Sequence, residues 1–357
     1  LSEPINWRIN LILDKRKVGH GQKPYFIAEM SGNHNHSLEK ALEIVDAAAA
    51  AGADALKIQT YTPDTMTLNI SEGEFFISDP KSLWKGSSLY DLYKVAMTPW
   101  EWHKPIQKRC QEKGITFFST PFDSTAVDFL EDLNVPFYKI ASFENGDLPL
   151  IKKIAQTKKP IIISTGMASL IELQEAVETA RENGASDLIL LKCTSAYPAK
   201  ATDANLTTIK NIRETFGVEV GLSDHTMGWT VPIVAATLGA SVIEKHFTIR
   251  RSDGGVDSAF SMEPHEFQSM IKEVSDAVES IGRVSYGVTE AEKKSLLFKR
   301  SIYFVKEIFP GEVITDDHVR IIRPGYGLAP KFFDMVVGRK ASGHYRPGTA
   351  VNWDRII

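Results

Sequence analysis

The chain has 357 residues, 43% hydrophobic and 24% charged. This is ordinary globular usage, excludes a disordered chain or a small disulfide-stapled scaffold, and at this length predicts one large domain plus a small one. Lys and Arg total 41 against 45 Asp and Glu, a formal charge of -4, so no basic footprint exists for nucleic acid or an anionic membrane and a small-molecule partner is expected.

The opening segment, LSEPINWRINLILDKRKVG, carries one short apolar run broken by Asn10 and Asp14. Nothing in the sequence approaches the ~20 apolar residues that span a bilayer. Cys110 and Cys193 lie in separate apolar or amphipathic runs with no metal-type spacing. Reduced thiols and a cytoplasmic location are the expectation.

From Tyr25 onward, short β-branched runs alternate with longer segments of helical period. The runs are YFIAEM (from Tyr25), ALKIQTY (Ala55), TFFST (Thr116), FYKIAS (Phe137), PIIISTG (Pro160), LILLKCTS (Leu188), VEVGLSD (Val218) and VIEKHFT (Val242). Amphipathic segments such as SLEKALEIVDAAAAAG and PHEFQSMIKEVSDAVESIG lie between them, closed by glycine as helix ends often are. Eight βα pairs predict an α/β protein, a (β/α)8 TIM barrel rather than a doubly wound open sheet. Between Tyr61 and Thr98 a segment rich in Gly, Ser and aromatic residues, SEGEFFISDPKSLWKGSSLYDLYK, is too long for an ordinary βα loop and reads as a lid or binding loop. After Gly282 the texture changes to short strands and turns punctuated by Pro310-Gly311, Pro324-Gly325 and Pro347-Gly348. The division expected is a barrel over 1–284, a linker over 285–299 and a small, mostly β domain over 300–357.

A (β/α)8 barrel carries its chemistry at the C-terminal strand ends, and here those ends are polar: Glu29, Lys57 and Gln59, Ser119 and Thr120, Lys139 and Ser142, Ser164 and Thr165, Lys192 with Thr194 and Ser195, Ser223 with Asp224 and His225, Glu244 and His246. A lysine in an apolar strand points either into the helix layer or into the mouth, and in both places it needs a counter-charge. Several lysines beside hydroxyls suit a phosphate and a carboxylate. His225 and His246, at the ends of neighbouring strands, could share a divalent metal, though a strand-end histidine is also a common structural residue. His34 and His36, in SGNHNHS, are further candidates in a segment that reads equally well as a tight turn and a helix N-cap.

These segments resemble the sialic acid synthase family, phosphoenolpyruvate-dependent enzymes with a (β/α)8 barrel followed by a small antifreeze-like (SAF) domain. IAEMSGNHNHS, LKIQTY, FYKIAS, IIISTGM, GLSDHT, EKHFT, VDSAFSMEP and RPGYGLAP match in order, from about Tyr25 to the C-terminus. IAEMSGNH, SLYDLYK with TPWEWH, and LLKCTSAYPAK are most similar to the branch that acts on 2,4-diacetamido-2,4,6-trideoxy hexoses; an N-acetyl hexosamine acceptor is the alternative. The resemblance implies that His225 and His246 hold Mn or Mg. It implies that Lys57, Thr120, Lys139, Ser142, Ser164 and Ser223 bind phosphoenolpyruvate, with Ser195 where other members carry an amide. Gln59, Glu144, Tyr197 and Asp257 would face the sugar. Glu29 would stabilise the developing cation or activate water, and Asp257 would move a proton. Arg323, in RPGYG, matches an arginine that reaches a partner subunit's site, which implies a domain-swapped homodimer. The rival chemistries are a Schiff-base aldolase using Lys192 and a non-catalytic carbohydrate-binding protein.

Overall fold

Every apolar run read from the sequence becomes a strand, and the strands close on themselves. In the computed structural model, which describes residues 11–19, 21–80, 82–185 and 187–357, the strands are β1 (Tyr25–Glu29), β2 (Ala55–Thr60), β3 (Thr116–Pro121), β4 (Tyr138–Ile140), β5 (Ile161–Ser164), β6 (Leu188–Cys193), β7 (Glu219–Asp224) and β8 (Val242–His246). Neighbours pair in parallel in that order, and β8 returns to β1 with Val242 opposite Tyr25 and His246 opposite Glu29. An open doubly wound sheet would leave two unpaired edges, so this last ladder decides for the barrel.

An outer ring of helices follows the strands: α1 (Leu38–Ala50), α2 (Trp100–Lys113), α3 (Ser124–Asp132), α4 (Leu148–Ala155), α5 (Leu170–Glu182), α6 (Thr208–Phe216), α7 (Thr230–Thr237) and α8 (Pro264–Ile281). Ser37 and Ser169 cap α1 and α5 by accepting from the N–H groups of Lys40 and Glu172, satisfying donors that a helix start leaves free. On α8, Phe267, Met270 and Val274 recur at helical spacing and are fully buried. Each contributes about 1.5–3 kcal/mol by leaving water.

Strand alternation sorts the side chains into two cores. One parity, including Phe26, Leu56, Ile58, Ile161, Ile163, Leu190, Val220 and Ile243, packs with the helices in a single large cluster. The other parity carries apolar residues early in most strands, among them Tyr25, Ile27, Ala55, Phe118, Ile162, Ile189 and Val242, which form a separate cluster inside the barrel. Leu11, Leu13 and Val18, from a hairpin of Leu11–Leu13 and Arg16–Val18, belong to this inner cluster and extend it beyond the strand starts. The inner parity runs out of apolar residues toward the strand ends, and there the polar ones begin.

From Arg283 the chain forms a second compact unit. It contains a 3-10 helix at Lys293–Phe298 and the antiparallel pair β9 (Ser301–Phe304) and β10 (Val319–Ile322). Isolated bridges such as Ile308 with Tyr345 and Ala341 with Ile356 continue the β character over a core that includes Ile302, Phe304, Ile314, Val336 and Val351. Among the described residues no helix is long and apolar enough to cross a membrane, and Cys110 and Cys193 are free and buried.

Gly221 shows how tightly the inner face is filled. A Cβ there would lie 2.4 Å from the Val242 carbonyl oxygen and 2.5 Å from Leu191 Cδ2. Gly221→Ala is therefore expected to destabilise the barrel by about 1–3 kcal/mol, read by urea unfolding. Gly146→Ala, whose Cβ would meet nothing within 4 Å, is the control and should move stability by less than about 0.5 kcal/mol. Equal effects in the two variants would refute this account of the interior.

Candidate active site

The inner parity carries Glu29 on β1, Lys57 and Gln59 on β2, Lys139 on β4, Ser164 on β5, Ser223 on β7 and Glu244 with His246 on β8. Together with His225, just past β7, all of them line one cavity of about 290 Å³. Ser142, Glu144, Tyr197 and Asp257, from the loops above, join the same lining. Lys192 and Lys245 have the opposite parity and do not. Lys245 is buried against Asp224 at 2.7 Å, and Lys192 donates to its neighbour's carbonyl, Cys193 O, at 2.9 Å. The aldolase reading loses its nucleophile.

Lys57 sits between two carboxylates, 2.9 Å from Glu29 Oε2 and 3.4 Å from Glu244 Oε1, and donates to Thr120 Oγ1 at 3.2 Å. Thr120 thus supports the lysine rather than facing the cavity. Register makes the arrangement: Glu29 is opposite Lys57 across the β1–β2 ladder, and Glu244 is opposite Ser223 across β7–β8. Burial, the largest influence on Glu29, raises its carboxyl above the ordinary range against the pull of Lys57. Burial pushes Glu244 the same way, but Lys139 and Lys57 together hold it below that range. Two neighbouring carboxyl groups are thereby set apart in acidity, the arrangement that acid and base roles require. Glu244 is among the polar strand ends read from the sequence but is given no role there, although it lies two residues before His246 on the same strand face.

Lys139 is differently placed. It donates to Ser164 Oγ at 2.6 Å and to the Ile140 carbonyl at 3.0 Å, and among the described residues it makes no ion pair. Burial lowers its pKa. Ser142 and Ser195 stand beside Gly166, where a Cβ would lie 2.5 and 2.2 Å from their hydroxyl oxygens. Ser195 Oγ is buried without a hydrogen-bond partner. The loop is braced by Asn145, whose amide donates to the carbonyls of Ser164 and Gly166 at 3.2 and 3.0 Å. A buried ammonium without an ion pair, bonded to one hydroxyl with two more nearby in the same mouth, has the chemistry to receive an anion.

The rings of His225 and His246 are 5.3 Å apart. His225 Nδ1 donates to the Thr194 carbonyl at 2.9 Å, which leaves its Nε2 lone pair free. His246 Nδ1 is buried without a hydrogen-bond partner, and burial, followed by His225 and Lys57, holds the ring well below its usual basicity. Burial lowers the basicity of His225 too, but Cys193 and the Thr194 carbonyl outweigh it and raise that ring above its usual value. Deprotonated at Nε2, His225 would join the neutral His246 as a ligand that fits a divalent cation. Among the described residues no group of three or more His, Cys, Asp or Glu is arranged for a metal, so water or substrate oxygens would complete the shell. Asp257 Oδ2 lies 3.7 Å from His246 Nδ1 and accepts from Ser31 Oγ. Gln59 donates to Glu29 at 2.9 Å and to Ser31 at 3.1 Å, so a polar chain links the two acids. Ser31 escaped the sequence reading because its loop carries no strand periodicity.

His34 and His36 lie elsewhere. His34 is buried against Thr98 at 3.3 Å and the edge of Trp102, and His36 meets the Lys94 carbonyl at 2.8 Å. Both tie the loop after β1 to the Tyr61–Thr98 segment. Arg323 belongs to the second unit, exposed directly after β10.

Glu144, on the turn Ser142–Glu144, has one carboxyl oxygen buried and unpartnered. Burial lifts its pKa from 4.5 to about 7. The folded state holds this proton more tightly than the unfolded chain, so the group's contribution to stability is full below pH 4.5 and is lost as pH rises through about 7. Glu144→Gln should therefore stabilise the free protein at pH 8 by on the order of 2–3 kcal/mol and have no such effect at pH 4. A gain independent of pH in parallel unfolding curves would contradict this.

Known proteins share this plan. A family model described as the NeuB family matches residues 44–286, and one for the SAF domain matches residues 299–357. The chain is 45% identical to the pseudaminic acid synthase of Helicobacter pylori over 94% of its own length and 98% of that protein. It is 36% identical to the N,N'-diacetyllegionaminic acid synthase of Legionella pneumophila over 95% of its length and 96% of that protein. A solved structure of N-acetylneuraminic acid (sialic acid) synthetase from Leptospira borgpetersenii superposes with a TM-score of 0.71 at 30% identity, covering 80% of this chain and 94% of that one. With matching sequence along nearly its whole length and the same closed barrel ahead of the same small domain, this chain belongs to the NeuB family.

Proposed function

We propose that this protein is a pseudaminic acid synthase, condensing phosphoenolpyruvate with the open-chain aldehyde of 2,4-diacetamido-2,4,6-trideoxy-L-altrose to give a nine-carbon ulosonic acid and phosphate. The observation that carries the reading is the placement of a buried ammonium without an ion pair, Lys139, beside hydroxyls on one side of the cavity, and the imidazoles of His225 and His246 with Asp257 on the other. An anion and an oxygen-bearing electrophile are thus held side by side. Identity to the named synthases supports the particular acceptor.

In this reading Lys139, Ser142, Ser164 and Ser195 receive the anionic groups of phosphoenolpyruvate, and Ser223 and Lys57 complete the cradle. His225 and His246 would hold the divalent cation, Mn or Mg, which when bound polarises the aldehyde oxygen. The enol carbon C3 forms the new bond to the aldehyde carbon, and positive charge develops at C2. The carboxyl groups flanking Lys57 face that charge; ionised Glu244 stabilises it, and Glu29, once deprotonated, takes a proton from the water that adds at C2. Phosphate then leaves with its bridging oxygen. Asp257, held by Ser31 and close to His246, delivers a proton to the new alkoxide.

The test is phosphate release from phosphoenolpyruvate with metal and a panel of acetamido sugars, with the product identified by mass. Release with a mono-acetamido hexosamine and none with the diacetamido sugar would overturn the acceptor assignment. Lys139→Met should raise KM for phosphoenolpyruvate at least about tenfold and lower the stability of the free protein less than the change at Lys57 does, since among the described residues Lys139 makes no direct ion pair and acts on Glu244 only at a distance. Lys57→Met should lower stability as well, by roughly 3–5 kcal/mol, because two buried carboxyl groups lose their cation. Unchanged KM in both variants would remove the lysines from the anion site. Chelation should abolish turnover, Mn or Mg should restore it, and His246→Ala should weaken metal binding measured directly; full activity in metal-stripped protein would exclude the metal.

A further inference from the structure

The cavity has two unlike sides. Its floor is the charged set described above, whereas its outer wall is formed by Met66, Ile77, Trp84, Leu92, Tyr93 and Val256. Five of these come from the Tyr61–Thr98 excursion. None of the six belongs to any of the hydrophobic cores found among the described residues. They are half-buried side chains, apolar apart from the Tyr93 phenol and the Trp84 nitrogen, and they line a site for a small molecule.

The wall is held in place. The excursion pairs with itself, Ile77 N–H donating to Ser87 O at 3.0 Å and Gly86 N–H to Ile77 O at 2.9 Å. The one nitrogen on the wall, Trp84 Nε1, donates to the Val256 carbonyl at 2.9 Å and so is turned away from a ligand. Gly32 permits the junction: a Cβ there would lie 2.2 Å from Val256 Cγ2 and 3.1 Å from Ala96 Cα. A short ladder of rings sets the distance from the chemistry, His225 to Tyr197 at 4.5 Å and Tyr197 to Trp84 at 6.2 Å.

We infer that this wall selects the acceptor by its far end, seating the methyl group of a 6-deoxy sugar and discriminating against a C6 hydroxyl. The inference rests on the proposed condensation, which fixes the aldehyde carbon at the imidazoles and sends the opposite end of the six-carbon chain outward to the wall. A hydroxyl delivered against Met66, Ile77, Leu92 or Val256 gives up water and meets no donor or acceptor on those side chains. An apolar surface rejects an added hydroxyl by at most about 100-fold, so the preference is expected between about 10- and 100-fold in kcat/KM.

The experiment compares matched pairs of acceptors that differ only at C6, methyl against hydroxymethyl, in both a diacetamido and a mono-acetamido series. Wild-type protein is measured beside Ile77→Ser and Leu92→Asn, two variants on separate turns of the excursion. The expected result is a methyl preference within each reactive pair that shrinks at least about fivefold in each variant, while KM for phosphoenolpyruvate stays within about twofold. If only the mono-acetamido series reacts yet the methyl preference and its loss persist, the acceptor assignment fails and the wall stands. No preference in the wild type, or a preference that both variants retain, overturns the wall. Absence of condensation with every sugar overturns both.

Discussion

A charge buried inside a closed eight-stranded barrel needs a counter-charge, and the placement of Lys57 between Glu29 and Glu244 is how this protein meets that constraint. The three side chains come from β2, β1 and β8, so the ion cluster sits across the seam where the barrel closes. Removing one member would leave a buried charge uncompensated, a loss of several kcal/mol. With Lys57 already shared between two carboxylates, Lys139 is the cation that a bound anion can neutralise. The division of labour between the two lysines follows from which strand carries a carboxylate neighbour.

The same cluster sets the carboxyl groups to different acidities. Glu29 is raised by burial, and Glu244 is lowered by two ammonium groups. Near them Glu144 and Ser195 retain buried oxygens without partners, and so does His246 with its Nδ1. Unsatisfied buried polar atoms are uncommon in folded proteins, and those of Glu144 and His246, which line the cavity, can take up polar groups of a ligand.

Around this floor the construction is layered. Apolar residues fill the barrel below, polar strand ends form the floor, and loops supply the rest. The barrel is a scaffold that many chemistries use, with specificity supplied by its βα loops. Here the loop after β2 is expanded into a wall, and the loop after β8 supplies both Val256 and Asp257, so an apolar contact and an acid arrive on adjacent residues.

The order of strands and helices was legible in the sequence because alternation and helical period are local properties, each written in a few consecutive residues. The paired positions Lys57 with Gln59, Ser223 with His225 and Glu244 with His246 follow from the two-residue repeat of a strand alone. Which parity faces inward was not legible for Lys139 and Lys192, two lysines in similar apolar runs. Only closure of the barrel assigns a common interior to strands whose phases are set independently, placing Lys139 in the cavity and Lys192 in the outer layer. Thr120 matched a ligand position and stands behind Lys57, since a family position specifies a residue and not its neighbours. The excursion over residues 61–98 was legible as a lid or binding loop, but not what it faces, because its helix at Leu89–Ala96 gives a period without a partner and the contact that fixes Trp84 is made 172 residues away, at Val256. Local pattern determines the elements, whereas packing between distant segments decides what they enclose.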